Sequence, residues 1–136
     1  FTTVYTNQSQ SKLRVAFATL DTGRIGIAAQ AVGIAQAALD LAAGYARERV
    51  VFGRPIGQNQ GIAHPLAQSW MSLEAANLMV MKAASLYDGK MDCGVEANAA
   101  KYLAGEAAFH ACETAVMTHG GMGYAKEFHV ERYLRE

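Results

Sequence analysis

Beyond its first ten residues the chain carries three long stretches in which apolar and small residues recur at helical spacing. The first runs from Lys12 to Glu48 and is dominated by Ala and Leu, strong helix formers. Its Ile25, Ile27, Ala28, Val32, Ile34, Ala37, Leu39 and Leu41 surround the helix on nearly all sides, which predicts a central, buried helix. Gly26, Gly33 and Gly44 each cost about 1 kcal/mol against Ala inside a helix, and close helix approach is the expected return. Phe52-Gly53-Arg54-Pro55 breaks the pattern, because Gly and Pro end helices and the residue before Pro is pushed extended. The spacing of Ile62, Leu66, Trp70, Leu73, Ala76, Val80 and Ala83-Ala84 predicts a second helix over Asn59–Tyr87, closed by a turn at Asp88-Gly89-Lys90. A third is predicted over Val95–Thr118, with Ala99, Leu103, Ala107, Phe109, Ala111 and Val116 as its apolar positions, ending at Gly120-Gly121-Met122-Gly123. A short fourth covers Glu127–Arg135, where Glu131 and Arg135 form a favourable i,i+4 pair. No alternating run of useful length follows residue 10. Short loops between long helices predict an all-α antiparallel bundle over residues 11–136. The polar lead-in Phe1–Gln10 is expected to be extended or unstructured, with FTTVYT as a possible short strand.

Composition narrows the function classes. One compositional regime over 136 residues predicts one domain. Lys plus Arg and Asp plus Glu are both 12, so no net field draws the chain to nucleic acid or to an anionic membrane. Ile25–Ala46 is apolar enough to resemble a membrane span, but Gln30, Gln36 and Asp40 interrupt it and its residues are mostly Ala and Gly; a buried helix is the expectation. Cys93 and Cys112 form no CxxC and read as reduced thiols of an intracellular protein. The opening residues lack a basic segment followed by an apolar one, so no secretory signal is read there.

The richest candidate chemistry lies in Tyr45–Gln60, YARERVVFGRPIGQNQ, where a cation, an aromatic and an amide stand at a helix-to-helix corner. Taken alone, Arg49 either complements the dipole of the helix it ends or holds a phosphate in a charge-assisted pair. Arg47 and Arg54 read as surface charges. Gly120–Gly123 either caps the third helix or opens backbone N–H groups to an anion. It is neither a Rossmann fingerprint nor a Walker loop. His64, His110, His119 and His129 make no pair of Glu-x-x-His motifs, so they read as satisfied or surface histidines and no metal is expected. No GxSxG is present, the cysteines lack a readable base, and no carboxylate pair identifies itself as an acid/base couple.

Together these segments resemble the C-terminal helical domain of the acyl-CoA dehydrogenases over about Leu13–Glu136. LDTGRIGIAAQAVGIAQAALD (Leu20–Asp40) resembles the domain's first long helix, and AAKYLAGEAA (Ala99–Ala108) its third. RVVFGRPIGQNQ (Arg49–Gln60) is similar to the family's Arg-x-x-Phe-Gly…Gln corner. HGGMGYAKEFHVERYLRE (His119–Glu136) is similar to its Gly-Gly-x-Gly-aromatic…Glu-Arg…Arg signature. The resemblance implies that Arg49 contacts the pyrophosphate of an FAD held mainly by a neighbouring subunit. It implies that Phe52 and Gln60 line the adenosine side, and that Gly120 and Gly121 let the backbone approach the cofactor. Asp21 and Arg24 are implied to lie near the pantetheine or adenine part of acyl-CoA.

The implied reaction is α,β-dehydrogenation of an acyl-CoA thioester, with electrons passed to an electron-transfer flavoprotein. A homo-oligomer, dimer or tetramer, is implied, in a bacterial cytoplasm or a mitochondrial matrix. The chain departs from the pattern in three places. Met117 stands where many members have a glutamine. Gly23 stands at the first-helix position that carries the catalytic glutamate in one branch, and the other branch places that glutamate beyond the residues read here. The family's N-terminal helical and middle β-domains have no counterpart in the sequence. The expectation is a domain that supplies scaffold, subunit interface and part of the FAD and CoA sites, with no catalytic residue assigned and no turnover alone. A flavin-free helical self-association module, or part of a related flavin oxidase or monooxygenase, is the alternative.

Overall fold

The computed structural model describes the backbone of residues 2–136 and the side chains of residues 15–136 apart from Ala18. Helix α1 spans Thr2–Glu48, α2 Gln60–Asp88, α3 Gly94–His119 and α4 Val130–Arg135. Between α1 and α2 a two-residue hairpin pairs β1 (Val50–Val51) with β2 (Arg54–Pro55), followed by a 3-10 turn at Ile56–Gln58. A second 3-10 turn, Gly120–Tyr124, follows α3. The all-α bundle expected from the sequence is the fold observed, with helix limits within a few residues of those predicted except at the start of α1.

Two boundaries differ. From Thr2 the backbone is already helical, so the extended lead-in is not observed; no Pro or Gly stands before Gly23 to stop the helix propagating toward the start. Phe1 lies outside the described residues. Helix α4 begins at Val130 rather than near Glu127, because Phe128 turns in against α1 and α3.

Successive helices alternate in direction, so α1 and α3 run parallel with α2 antiparallel to both. Asp21 lies beside Gly94 at one end, and Tyr45 stacks on His119 at the other. The core is three layers built largely from alanine. Ala28, Ala76, Val80, Ala83, Ala100, Ala104 and Ala107 form the layer nearest Asp21. Ala35, Leu39, Leu73 and Ala111 form the middle. Ala38, Ala42, Cys112, Ala115 and Val130 form the far layer, where α4 covers the bundle.

This core corrects four expectations. On α3 the small residues face inward (Ala97, Ala100, Ala104, Ala107, Ala111, Ala115), while Leu103 and Phe109 are exposed. A parallel neighbour packed on an alanine stripe leaves no room for larger side chains, so size and not hydropathy sorts the faces. On α2 Trp70 is exposed and Ser69 is buried, its hydroxyl donating to Thr114 Oγ1 at 3.1 Å. On α1 one face is buried (Ala28, Ala35, Ala38, Leu39, Ala42, Ala46) and the other, with Ile27 and Leu41, is open. Gly26, Gly33 and Gly44 meet nothing within 4 Å among the described residues, so none of these glycines makes the close helix approach expected there. Helix α1 is long and apolar enough by composition to cross a membrane, and its alanine face is committed to α2 and α3.

Candidate functional site

The parallel run of α1 and α3 brings both C-terminal ends to one end of the bundle, beside the start of α2. The chain leaves α1 at Glu48, and Arg49 N–H still donates to Tyr45 O at 2.8 Å, holding the arginine on the last turn. The hairpin then reverses through Phe52 (φ +53) and Gly53 (φ +79). Two consecutive positive φ values are the signature of a type I′ turn, which glycine adopts freely and phenylalanine only under strain. Phe52 is wholly exposed, with a relative exposure of 101%. Ile56 N–H donates to Arg49 O at 2.9 Å and closes the corner.

Across from Arg49, α3 ends at Gly120, whose N–H donates to Met117 O and whose φ of +57 and ψ of −136 lie in a region nearly reserved for glycine. Gly123 is needed for a different reason. A Cβ there would lie 2.6 Å from Val116 O, so the loop folds back onto α3 only without a side chain. Around Gly120 and Gly121 no atom stands within 4 Å of where a Cβ would be, so the backbone is approachable from outside. The cap reading and the open-backbone reading therefore describe the same residues.

Arg49, Gly120 and Gly121 line a single depression of about 320 Å³ with Tyr45, Thr118, His119 and Met122. Three arginines stand at this corner, and two are engaged locally. Arg54 donates to Asn59 Oδ1 at 2.6 Å and Arg47 to Ala43 O at 3.2 Å. Among the described residues no carboxylate pairs with Arg49. Two helix C-termini meet here, each carrying partial negative charge. Arg49 offsets that charge, and an anion could settle in the depression only against a cation so placed. Phe52 and Gln60 are outside the depression: Phe52 at the hairpin tip, Gln60 exposed on the first turn of α2. A neighbouring depression of about 330 Å³, lined by Ile62, Pro65, His110 and Glu113 among others, shares Met117 and Thr118 with it. Met117 forms the exposed ridge between them.

At the other end of the bundle Arg24 Nη1 donates to Asp21 Oδ1 at 2.9 Å. Asp21 borders a depression of about 300 Å³ with Tyr87, Lys90 and Cys93. Burial, then the nearby carboxylates of Asp21, Asp92 and Glu96, push the Cys93 thiol up; burial alone raises Cys112. Both are free and buried. Arg49 lies 25 positions after Arg24, just past the end of α1, which puts them about 37 Å apart along the helix axis. The structure therefore brings together Arg49, Gly120 and Gly121, and separately Asp21 and Arg24, but not the two groups.

One component was missed. His119, read as one of four satisfied or surface histidines, is buried with its ring stacked on Tyr45 (centroids 4.2 Å, 21°) and edge-on to Phe128 (5.3 Å). The other three are exposed. The available signal was position, since His119 directly precedes the Gly-Gly pair and Tyr45 stands one turn before Arg49.

Comparison with known proteins places the chain. The family described as acyl-CoA dehydrogenase, C-terminal domain, matches residues 13–136. An acyl-CoA dehydrogenase of Bacillus subtilis (strain 168) is 52% identical over 122 residues, covering 90% of this chain and 32% of that protein. The caffeyl-CoA reductase-Etf complex subunit CarC of Acetobacterium woodii is 49% identical over 121 residues, covering 89% of this chain and 32% of the relative. The structure of butyryl-CoA dehydrogenase from Megasphaera elsdenii superposes with a TM-score of 0.87 at 43% identity, over 90% of this chain and 32% of that one. The chain thus spans about a third of the length of the relatives it matches. By a family pattern that covers every residue from 13 to 136 and by the helical fold it shares with these proteins, the chain belongs to the acyl-CoA dehydrogenase family, as its C-terminal domain.

Proposed function

We propose that the domain works in an FAD-dependent acyl-CoA dehydrogenase, holding the pyrophosphate end of the flavin cofactor through Arg49 and the Gly120-Gly121 backbone. The observation that carries this reading is their shared depression: a cation with no carboxylate partner among the described residues borders it together with two glycines whose backbone is open. Donor chemistry fits a pyrophosphate, with guanidinium on one side and backbone N–H on the other. The depression has room for one part of a dinucleotide, in line with a cofactor whose remainder rests on other chain segments. Phe52 and Gln60 extend the contact on the adenosine side; a wholly exposed aromatic on a strained turn has an evident use only against a partner or ligand. Asp21 and Arg24, about 37 Å away along α1, serve acyl-CoA at a different site. One domain then serves ligands at both of its ends.

When bound, FAD accepts the hydride from the β-carbon of the acyl thioester, and the protein's part is binding and orientation. We assign no catalytic residue within this domain. The open face of α1, with Ile27, Gly33 and Leu41, is the proposed contact with a second copy of the chain. An electron-transfer flavoprotein is the proposed electron acceptor, in keeping with the Etf complex from which the Acetobacterium relative takes its name. A bacterial cytoplasm or mitochondrial matrix is the proposed setting.

The test is titration of FAD into the full-length apoprotein, followed by flavin fluorescence. Arg49→Gln is expected to weaken FAD binding roughly 10- to 100-fold, the range of a lost charge-assisted hydrogen bond. Arg47→Gln, two residues away and bonded to its own helix, is expected to leave the affinity unchanged. Equal affinity for wild type and Arg49→Gln overturns the reading.

A further inference from the structure

His119 is placed like a binding residue and not like a space-filling one. Three contacts fix its ring. Its Nδ1 lies 2.8 Å from Ala115 O, and since a carbonyl oxygen only accepts, Nδ1 carries a proton and donates. One ring face stacks on Tyr45, and Phe128 meets the ring edge-on. Tyr45 O in turn accepts from Arg49 N–H, so the stack also sets the last turn of α1 against the end of α3.

In the neutral ring that leaves Nε2 as a bare acceptor, and it makes no hydrogen bond with any described residue. Among the described residues no fully enclosed side-chain nitrogen or oxygen lacks a partner. Nε2 therefore keeps an opening, and the surface His119 borders is the depression of Arg49, Gly120 and Gly121. A phenylalanine would stack equally well without burying an imidazole, whose desolvation costs free energy unless its polar atoms are used.

We infer that His119 Nε2 accepts a hydrogen bond from a ligand hydroxyl lying beside the anion that Arg49 and the Gly120-Gly121 backbone hold. Arg49 and the backbone N–H groups are donors and recognise phosphate oxygens. His119 adds a side-chain acceptor whose ring is held by three contacts. The ligand class is a pyrophosphate ester whose flanking sugar or sugar-alcohol carries hydroxyls. FAD, the cofactor proposed above and on which this inference rests, presents such hydroxyls on both sides of its pyrophosphate. Binding then reads the group next to the pyrophosphate as well as its charge.

The experiment compares two probes on the full-length apoprotein: FAD, and inorganic pyrophosphate as its competitor. Pyrophosphate has the anion and lacks the hydroxyl. His119→Phe keeps a stacking ring and removes Nε2. It is expected to weaken FAD about 2- to 13-fold, the range of one net hydrogen bond, with pyrophosphate affinity unchanged. His119→Met, a pliant apolar replacement, carries the same test if His119→Phe does not accumulate folded. A variant that weakens both probes equally, or neither, overturns the inference, because a structural role alone moves both together. Arg49→Gln separates the two levels. If it leaves both probes unchanged, the cofactor reading has failed; if it weakens both while His119→Phe leaves FAD binding intact, only the assignment of His119 has failed.

Discussion

At the scale of single residues the deciding quantities are space and direction. Gly105 lies within α3 and Gly123 in the turn that follows it, and the space around each decides what a side chain would do there. A Cβ at Gly123 meets Val116 O at 2.6 Å, whereas one at Gly105 meets nothing within 4 Å. Gly123→Ala is therefore expected to destabilise by about 1–3 kcal/mol through forced displacement of the loop. Gly105→Ala, within α3, is expected to stabilise by up to about 1 kcal/mol through helix propensity. Urea midpoints of the two variants test both signs. Taken alone, Arg49 reads as a helix-end charge or as a phosphate contact; the resemblance of Arg49–Gln60 and His119–Glu136 to a family pattern is what singled it out. His119 was not read as part of the site: its place before the Gly-Gly pair is the one signal in the sequence, and the enclosure of its ring by Tyr45 and Phe128 is a tertiary fact. Cys112 supplies a pH prediction. Burial raises its thiol, so the folded state favours the protonated form and contributes stability that is full below the unfolded value of about 8.5 and is lost as pH rises through and above it. The thermal midpoint is expected to fall between about pH 8 and pH 10, less steeply in Cys112→Ala, and alkylation of this thiol is expected to be slow until denaturant is added.

At the scale of elements the helices were readable and their faces were not. Long runs of Ala and Leu broken by Gly and Pro mark where helices start and stop whatever they pack against. Facing depends on the neighbour. Helix α3 turns six alanines inward and leaves Leu103 and Phe109 outside, because the parallel α1 presents its own alanine stripe at the same seam. Ala104→Leu is expected to cost about 1–3 kcal/mol by overpacking, while Leu103→Ala, half out in solvent, costs less. Chemical denaturation ranks the pair; the reverse order would mean that the seam is not the close contact between α1 and α3. The i,i+4 pair Glu131–Arg135 is the opposite case, a contact within one helix, and it forms as the spacing requires, with Arg135 Nε 2.7 Å and Nη2 3.0 Å from the carboxylate oxygens.

At the scale of the whole molecule the up-down-up order of three helices explains the site. Parallel α1 and α3 must end together, and that brings Arg49 to Gly120 across a long span of sequence. The same order sends Asp21 and Arg24 to the far end with the start of α3. The open face of α1 is the feature that a lone copy leaves unused: Ile27 and Leu41 are exposed, and Gly33 faces empty space. Self-association through that face is the expected outcome, and Gly33→Phe, which this chain alone has room for, is expected to lower the assembly state seen by sedimentation without unfolding the helix. Unchanged assembly would move the proposed interface elsewhere.

The sequence by itself determined the number of helices, their limits to within a few residues except at the start of α1, and which residue types stood at the corner and in the glycine loop. Those are local properties, set by propensity, periodicity and breakers. Tertiary structure decided which face of each helix is buried and that Arg49 and Gly120-Gly121 border one depression. It also decided that His119 joins them and that Asp21 and Arg24 do not. Each of these depends on helix direction and on the size of the opposing side chain, which no window of the sequence contains.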